Sequence, residues 1–125
     1  MRTSRQPYRF WTRDQLYAHL LTQALNFGYD EKFIDRLHDI VYDERWDPSK
    51  DFNGCNVVQD HYHPFLPCFI HDYRWVVEEG GLASDREFYW NLIKCGVNKT
   101  RAILYFEGVR LGWVLFFKWK KKFNF

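Results

Sequence analysis

Residues 67–95, PCFIHDYRWVVEEGGLASDREFYWNLIKC, contain most of the side chains in this chain that can take part in chemistry. The pattern predicts one helix over about 68–79, a turn at the Gly-Gly pair, and a second helix over about 84–95. Two helices joined by so short a loop lie antiparallel. Asp85, in the first turn of the second helix, can therefore reach back to His71 on the first.

His71, Asp72 and Asp85 form the candidate site of this hairpin. A carboxylate at Asp85 would fix the orientation of His71 and make it a better base. Asp72 points about 100° away around the helix, which leaves its oxygens for a hard cation such as calcium. These are the parts of a hydrolase that activates water. Ser84 and Glu87 also fit a capping box, and the helix dipole favours an acidic residue in the first turn.

The remaining segments complete an all-α prediction for a single domain of 125 residues, 1–125. Apolar residues recur at helical spacing in three further segments, about 13–27, 31–44 and 99–117. Residues 47–67 hold three prolines and several turn formers, which predicts a long functional loop. Residues 1–12 read as a basic, aromatic arm and residues 113–125 as a basic, aromatic tail.

Composition and charge exclude several classes of protein. The net charge is only +2, from 18 basic and 16 acidic residues, and no recognised nucleic-acid module is present, so nucleic acid is disfavoured as a partner. No apolar run of about 18 residues predicts a membrane span, and the N-terminus lacks the apolar core of a signal peptide. We expect an intracellular protein, one exported by another route, or part of a larger particle.

Lysines and aromatic residues alternate near the C-terminus. Such residues suit a lipid interface, where rings insert and lysines meet anionic head groups. A solvated end and a docking strand for another protein subunit are alternatives. Since exposed apolar patches usually mark contacts, we expect a phospholipid or membrane surface to be contacted by Trp113, Phe116, Phe117, Lys118, Trp119 and Lys120.

The cysteines and two loop histidines leave alternatives open. The chain has three cysteines, so at least one is unpaired in a monomer. Cys55 and Cys68 would be bridged in an oxidising setting and would be buried thiols in a reducing one. His61 and His63 would have to join His71 to bind zinc, and no fourth ligand follows at a recognisable spacing. Zinc therefore ranks below calcium.

The loop and hairpin resemble the small phospholipase A2 enzymes of bacteria and fungi. The resemblance covers about residues 46 to 113. It implies that His71 is the base that deprotonates water, that Asp85 is its orienting partner and that Asp72 is a calcium ligand. The matching segments are Trp46-Asp47, Phe52-Asn53-Gly54-Cys55, Cys68-Phe69-Ile70-His71-Asp72, Asp85 to Cys95, and Thr100 to Arg110.

The same resemblance implies further calcium ligands in the loop. The family has an aspartate two residues before the loop cysteine, and here Asn53 takes that position, beside Gly54 and with Asp51 as a substitute. A neutral ligand weakens the binding of a hard divalent cation. The tyrosine that the family places after the His-Asp pair is Trp75 here, which cannot give the same hydrogen bond.

The chain also resembles a small bacteriophage-encoded family of unknown function, which shares the His-Asp-aromatic helix and the segment Ala83-Ser84-Asp85. Two hypotheses follow. One is a calcium-dependent phospholipase A2-like hydrolase, with an apolar channel leading to His71. The alternative is a bacteriophage virion or tail-associated structural or assembly protein, in the phage particle or host cytoplasm, that keeps the helical scaffold without activity. Its partners would be other phage structural proteins.

Overall fold

The computed structural model describes residues 11–52 and 65–123, with side chains as far as residue 111. Within these ranges every regular element is a helix, which confirms the all-α prediction. The predicted arm up to residue 10 and the loop segment 53–64 lie outside the described residues. The helices are α1 Arg13–Asn26, α2 Glu31–Val41, α3 Pro48–Asp51, α4 Leu66–Val76, α5 Leu82–Lys94 and α6 Lys99–Phe123.

The first two helices begin at side-chain caps. Thr12 Oγ1 accepts a hydrogen bond from Gln15 N, and the Gln15 side chain accepts one from Thr12 N. Asp30 caps α2 by accepting a hydrogen bond from Phe33 N at 2.9 Å. These contacts satisfy N–H groups that have no partner inside a helix. The starts of α1 and α2 therefore fall where the sequence pattern places them.

The end of α2 is held by a single guanidinium. Arg13 of α1 donates hydrogen bonds to the carbonyl oxygens of Val41 at 2.7 Å, Asp43 at 3.0 Å and Trp46 at 2.6 Å. Carbonyl groups at a helix C-terminus lack partners within the helix, and a cation also suits the dipole there. The helix predicted over 31–44 therefore ends at Val41.

Both ends of the segment predicted as a loop, residues 47–67, are helical in the structure. Asp47 caps α3 by accepting a hydrogen bond from Ser49 N at 3.1 Å, and Pro48 occupies the first turn, where a missing N–H costs nothing. At the other end α4 begins at Leu66, before the predicted residue 68. Gln23 of α1 explains this early start, because its Oε1 accepts a hydrogen bond from Leu66 N at 3.0 Å.

The predicted capping box of Ser84 and Glu87 is wrong. Helix α5 begins at Leu82, and Ser84 Oγ accepts a hydrogen bond from Gly81 N and donates one to Gly81 O, both at 2.9 Å. Glu87 instead faces α4, where its carboxylate accepts hydrogen bonds from Arg74 at 3.1 and 3.2 Å. This ion pair clamps the two helices of the hairpin together near their turn.

The hairpin lies at the centre of the core. Helix α5 packs against α4 and α6, α1 packs against α2 and α4, and α3 packs against α4. The Phe69 ring meets the rings of Trp46 and Phe52, with centroids 5.0 and 5.1 Å apart. These contacts fix the segment before the loop onto α4. The fully buried side chains include Leu16, Leu20, Leu37, Leu66, Phe69, Ile70 and Leu92.

The last helix is longer than predicted. Helix α6 continues to Phe123, beyond the expected end at residue 117, so most of the predicted tail is helical backbone. The side chains assigned to a lipid interface, from Trp113 to Lys120, lie outside the described side chains. None of the helices in the described residues is long and apolar enough to cross a membrane.

A buried polar cluster lies at the end of α5. Tyr29 Oη donates a hydrogen bond to Asn91 Oδ1 at 2.8 Å and lies 3.7 Å from Cys95 Sγ. Cys95 is a free, buried thiol, and burial raises its pKa from 9.0 to about 11. Burial, and then the neighbouring Cys95, raise the pKa of Tyr29 as well. Both groups therefore favour the neutral form in the folded chain.

We expect the free energy of unfolding to fall as the pH rises from 9.0 towards about 11. In this range the unfolded thiol loses its proton while the folded Cys95 keeps it, so ionisation favours the unfolded chain. A shift of two pKa units corresponds to roughly 2–3 kcal/mol. Urea unfolding of wild type and Cys95→Ala, at neutral and at alkaline pH, measures this. Equal losses of stability in the two proteins would contradict the assignment to Cys95.

Candidate active site

The structure brings together the two side chains that the hairpin was predicted to join. His71 Nε2 lies 2.6 Å from Asp85 Oδ1. Asp85 is 0% exposed and His71 is 9% exposed. A carboxylate at this distance holds the proton on Nε2, a tautomer assigned from the hydrogen-bond network. Nδ1 is then the ring nitrogen left to accept a proton from water.

Local structure explains how each partner is held. His71 sits in the middle of α4, and its ring packs on the Phe88 ring with centroids 4.9 Å apart. Asp85 lies in the first turn of α5, where the helix dipole favours a negative charge. The hydrogen bonds between Ser84 and Gly81 fix the start of that turn. This contact agrees with the prediction from the short connection between the two helices.

Arg110 of α6 is the residue of this site that the sequence analysis missed. Its Nη1 donates a hydrogen bond to Asp85 Oδ2 at 3.1 Å. The carboxylate therefore binds the imidazole with one oxygen and the guanidinium with the other. Burying a carboxylate costs several kcal/mol unless a cation and hydrogen bonds compensate. In the sequence, the one sign of its role is that an arginine follows Ile103 and Phe106 on an otherwise apolar helix face.

A second cluster lies on another side of α4. Tyr73, about 200° around the helix from His71, donates a hydrogen bond to Asp43 Oδ2 at 2.6 Å. Arg45 donates to the same oxygen at 2.7 Å and to Tyr73 Oη at 3.1 Å. The Arg45 and Tyr73 hydrogen bonds hold the pKa of the Asp43 carboxyl well below its usual range. This cluster ties α4 to the turn after α2 and does not contact Asp85.

Of the predicted calcium ligands, some lie within the described residues and others lie outside them. Asp72 is half-buried on α4 beside His71, and Asp51 Oδ2 accepts a hydrogen bond from Asp47 N at 2.8 Å. Asn53 and Gly54 lie outside the described residues. Within the part that is described, no group of three or more His, Cys, Asp or Glu side chains is placed to hold a metal ion. The predicted donors are all oxygens, however, and that donor chemistry fits calcium.

The two loop histidines and the three cysteines are likewise only partly covered by the described residues. His61 and His63 fall outside the described residues, and so does Cys55. Cys68 is disulfide-bonded, as expected for an oxidising setting, while Cys95 is a free thiol. The free thiol among the described cysteines therefore lies in the buried cluster at the end of α5.

The apolar cleft between α5 and α6 does not lead to His71. It has a volume of about 260 Å³ and is lined by Tyr89, Ile103 and Phe106, with the charged Arg86 and Glu107 at its edges. His71 is not among these lining residues. The channel expected for an enzyme is therefore not formed by this cleft.

Comparison with known proteins identifies no relative. No protein-family model, curated protein or solved structure matches the chain. Chemistry at this site is therefore inferred from the contacts of His71, Asp85 and Arg110.

Proposed function

We propose that this chain is a calcium-dependent hydrolase of the phospholipase A2 type, which cleaves acyl esters of phospholipids with water. The observation that carries the proposal is the 2.6 Å contact between His71 Nε2 and the fully buried Asp85. It supports a histidine with one nitrogen fixed by a carboxylate and the other available as a general base.

The reaction requires one proton to move from water to the departing alcohol. His71 Nδ1 takes the proton as the water oxygen forms a bond to the acyl carbon. The ester C–O bond then breaks, and His71 returns the proton to the alcohol oxygen. One water and one ester become a fatty acid and a lysophospholipid, so His71 is regenerated.

Asp85 and Arg110 act on the histidine and do not contact the substrate. Asp85 fixes the ring so that Nδ1 faces the water, and its charge stabilises the imidazolium that forms when the proton is taken. Arg110 holds the second oxygen of Asp85 at 3.1 Å. Both are therefore positioning residues, whereas His71 is the proposed catalytic residue.

Calcium would be held by Asp72, together with loop residues 51, 53 and 54. A divalent cation held there would polarise an ester carbonyl and offset the negative charge that develops on its oxygen. The lysines and aromatic residues from Trp113 to Lys120 would meet the lipid surface. The substrate would thus be presented at a membrane interface.

Asp72→Asn is expected to raise the calcium concentration needed for half-maximal fatty-acid release by about 100-fold, the upper end of the 10–100-fold range typical of an outer-shell partner. The reason is that a neutral amide replaces a charged oxygen ligand. Release from mixed anionic and zwitterionic vesicles, measured as calcium is varied and with chelator, checks this. Asp39→Asn removes an exposed carboxylate of α2 and serves as the matched control.

Two results would contradict parts of this proposal. Folded wild-type protein that releases no fatty acid from any lipid tested, and that binds no calcium by calorimetry, would rule out the hydrolase. Release that continues unchanged in chelator would rule out the calcium requirement alone.

A phage structural or assembly protein is the second candidate. The observation that favours it is a set of large apolar side chains exposed on α5 and α6: Trp90 is 64% exposed, Leu104 63% and Leu111 60%. Exposed apolar surface of this kind usually marks a contact. Stable co-assembly with virion proteins, in a chain that neither hydrolyses lipid nor binds calcium, would favour this candidate.

A further inference from the structure

A basic cleft of about 360 Å³ lies at the opposite end of α5 from the His71–Asp85 pair. Its walls come from the α1–α2 turn, the first two turns of α2 and the end of α5. The residues that define it here are Tyr29, Asp30, Lys32, Phe33, Arg36 and Lys94. Lys94 follows Asp85 by nine residues on the same helix, which corresponds to about 13 Å along its axis. The two sites are therefore spatially separate.

Three cations, Lys32, Arg36 and Lys94, line this cleft. Among the described residues, Lys32, Arg36 and Lys94 form no ion pair with a carboxylate. Lys32 and Arg36 are one turn apart on α2, where two like charges repel and weaken the helix. The acidic residue in the cleft, Asp30, uses Oδ1 to cap α2. The cleft thus carries excess positive charge.

The floor of the cleft is a pair of stacked rings. The centroids of Tyr29 and Phe33 are 4.0 Å apart with an angle of 28° between the planes. Lys94 Nζ lies 5.2 Å from the centroid of the Tyr29 ring, a cation–π contact that restricts its position. The hydroxyl of Tyr29 is anchored by Asn91 at 2.8 Å. Asn91 therefore holds the Tyr29 ring in place, and this ring in turn restricts the position of the Lys94 ammonium.

We propose that the basic cleft binds a phosphate group, carried either by a soluble phosphoester or by a lipid head group. A phosphate oxyanion can accept hydrogen bonds from Lys32, Arg36 and Lys94 together, and the planar guanidinium of Arg36 suits two phosphate oxygens. Binding here is independent of the proposed hydrolase, because no residue of the cleft contacts His71 or Asp85.

Titration with inorganic pyrophosphate, followed by amide chemical shifts of the full chain, tests the site. We expect saturable shifts at Tyr29, Phe33 and Lys94 in low salt, and weaker binding as salt screens the charges. Lys94→Gln and the double variant Lys32→Gln/Arg36→Gln are each expected to weaken binding about tenfold or more. Lys50→Gln removes an exposed charge of α3 outside the cleft, and it should leave the affinity unchanged.

A parallel measurement distinguishes the two sources of phosphate. Sedimentation with phosphatidylcholine vesicles, with and without phosphatidate, tests the head group. Binding to phosphatidate vesicles that the cleft variants weaken assigns the lipid source, whereas weakened pyrophosphate binding with no effect on vesicles assigns a soluble phosphoester. Absence of any cleft-dependent binding in both measurements, or equal weakening by Lys50→Gln, would overturn the proposal.

Discussion

His71→Ala is expected to lower the rate of fatty-acid release by about 10³-fold, since general-base catalysis by a positioned side chain contributes 10²–10⁴-fold. Among the described histidines, His71 is the one that contacts a buried carboxylate, that of Asp85, so no other described histidine is positioned as a base in the same way. Single-turnover release from vesicles at saturating calcium measures the chemical step. Calcium affinity is expected to be unchanged, because His71 is not a proposed ligand.

The control for this variant is His38→Ala. His38 is an exposed histidine of α2 whose ring packs on Tyr42, and its removal should leave release within twofold of wild type. Because His71 is buried against Phe88, thermal unfolding must show that His71→Ala is folded at the assay temperature. His71→Gln, which leaves a smaller cavity, provides a second variant. Wild-type rates in either folded His71 variant would eliminate the proposed base.

Arg110→Met is expected to lower the free energy of unfolding by about 3 kcal/mol, because removing one partner of a buried ion pair leaves an uncompensated charge. The charge in question is Asp85, which is 0% exposed. Without the guanidinium, His71 would be its remaining polar side-chain contact among the described residues. Urea unfolding at neutral pH measures the loss. Met preserves most of the apolar stem of Arg110, so the change isolates the charge.

A double-mutant cycle separates this charge effect from lost packing. Asp85→Asn removes the charge that Arg110 compensates, so adding Arg110→Met to Asp85→Asn should cost clearly less than Arg110→Met alone. Arg110→Lys is expected to keep part of the stability, since it retains the charge but not the planar donor group. Equal costs of Arg110→Met in the two backgrounds would show that Arg110 does not act through Asp85.

The sequence alone determined the helical architecture and one contact of the site. Helical periodicity and caps such as Thr12 and Asp30 are local signals, so the starts of α1 and α2 were predicted correctly. The contact of His71 with Asp85 was also predictable, since a short turn leaves two helices few ways to pack. The end of α2 was not predictable, because Arg13 of another helix decides it.

Only the tertiary structure decided which distant groups meet. Arg110 reaches Asp85 because of how α6 is rotated against α5, and no spacing in the sequence encodes that rotation. The basic cleft likewise joins Lys94 to Lys32 and Arg36, which belong to a different helix. Such contacts depend on the packing of the whole core, where many buried side chains together set the orientation of each helix. Local pattern therefore specifies the helices and the hairpin, whereas packing selects the charges that surround the carboxylate.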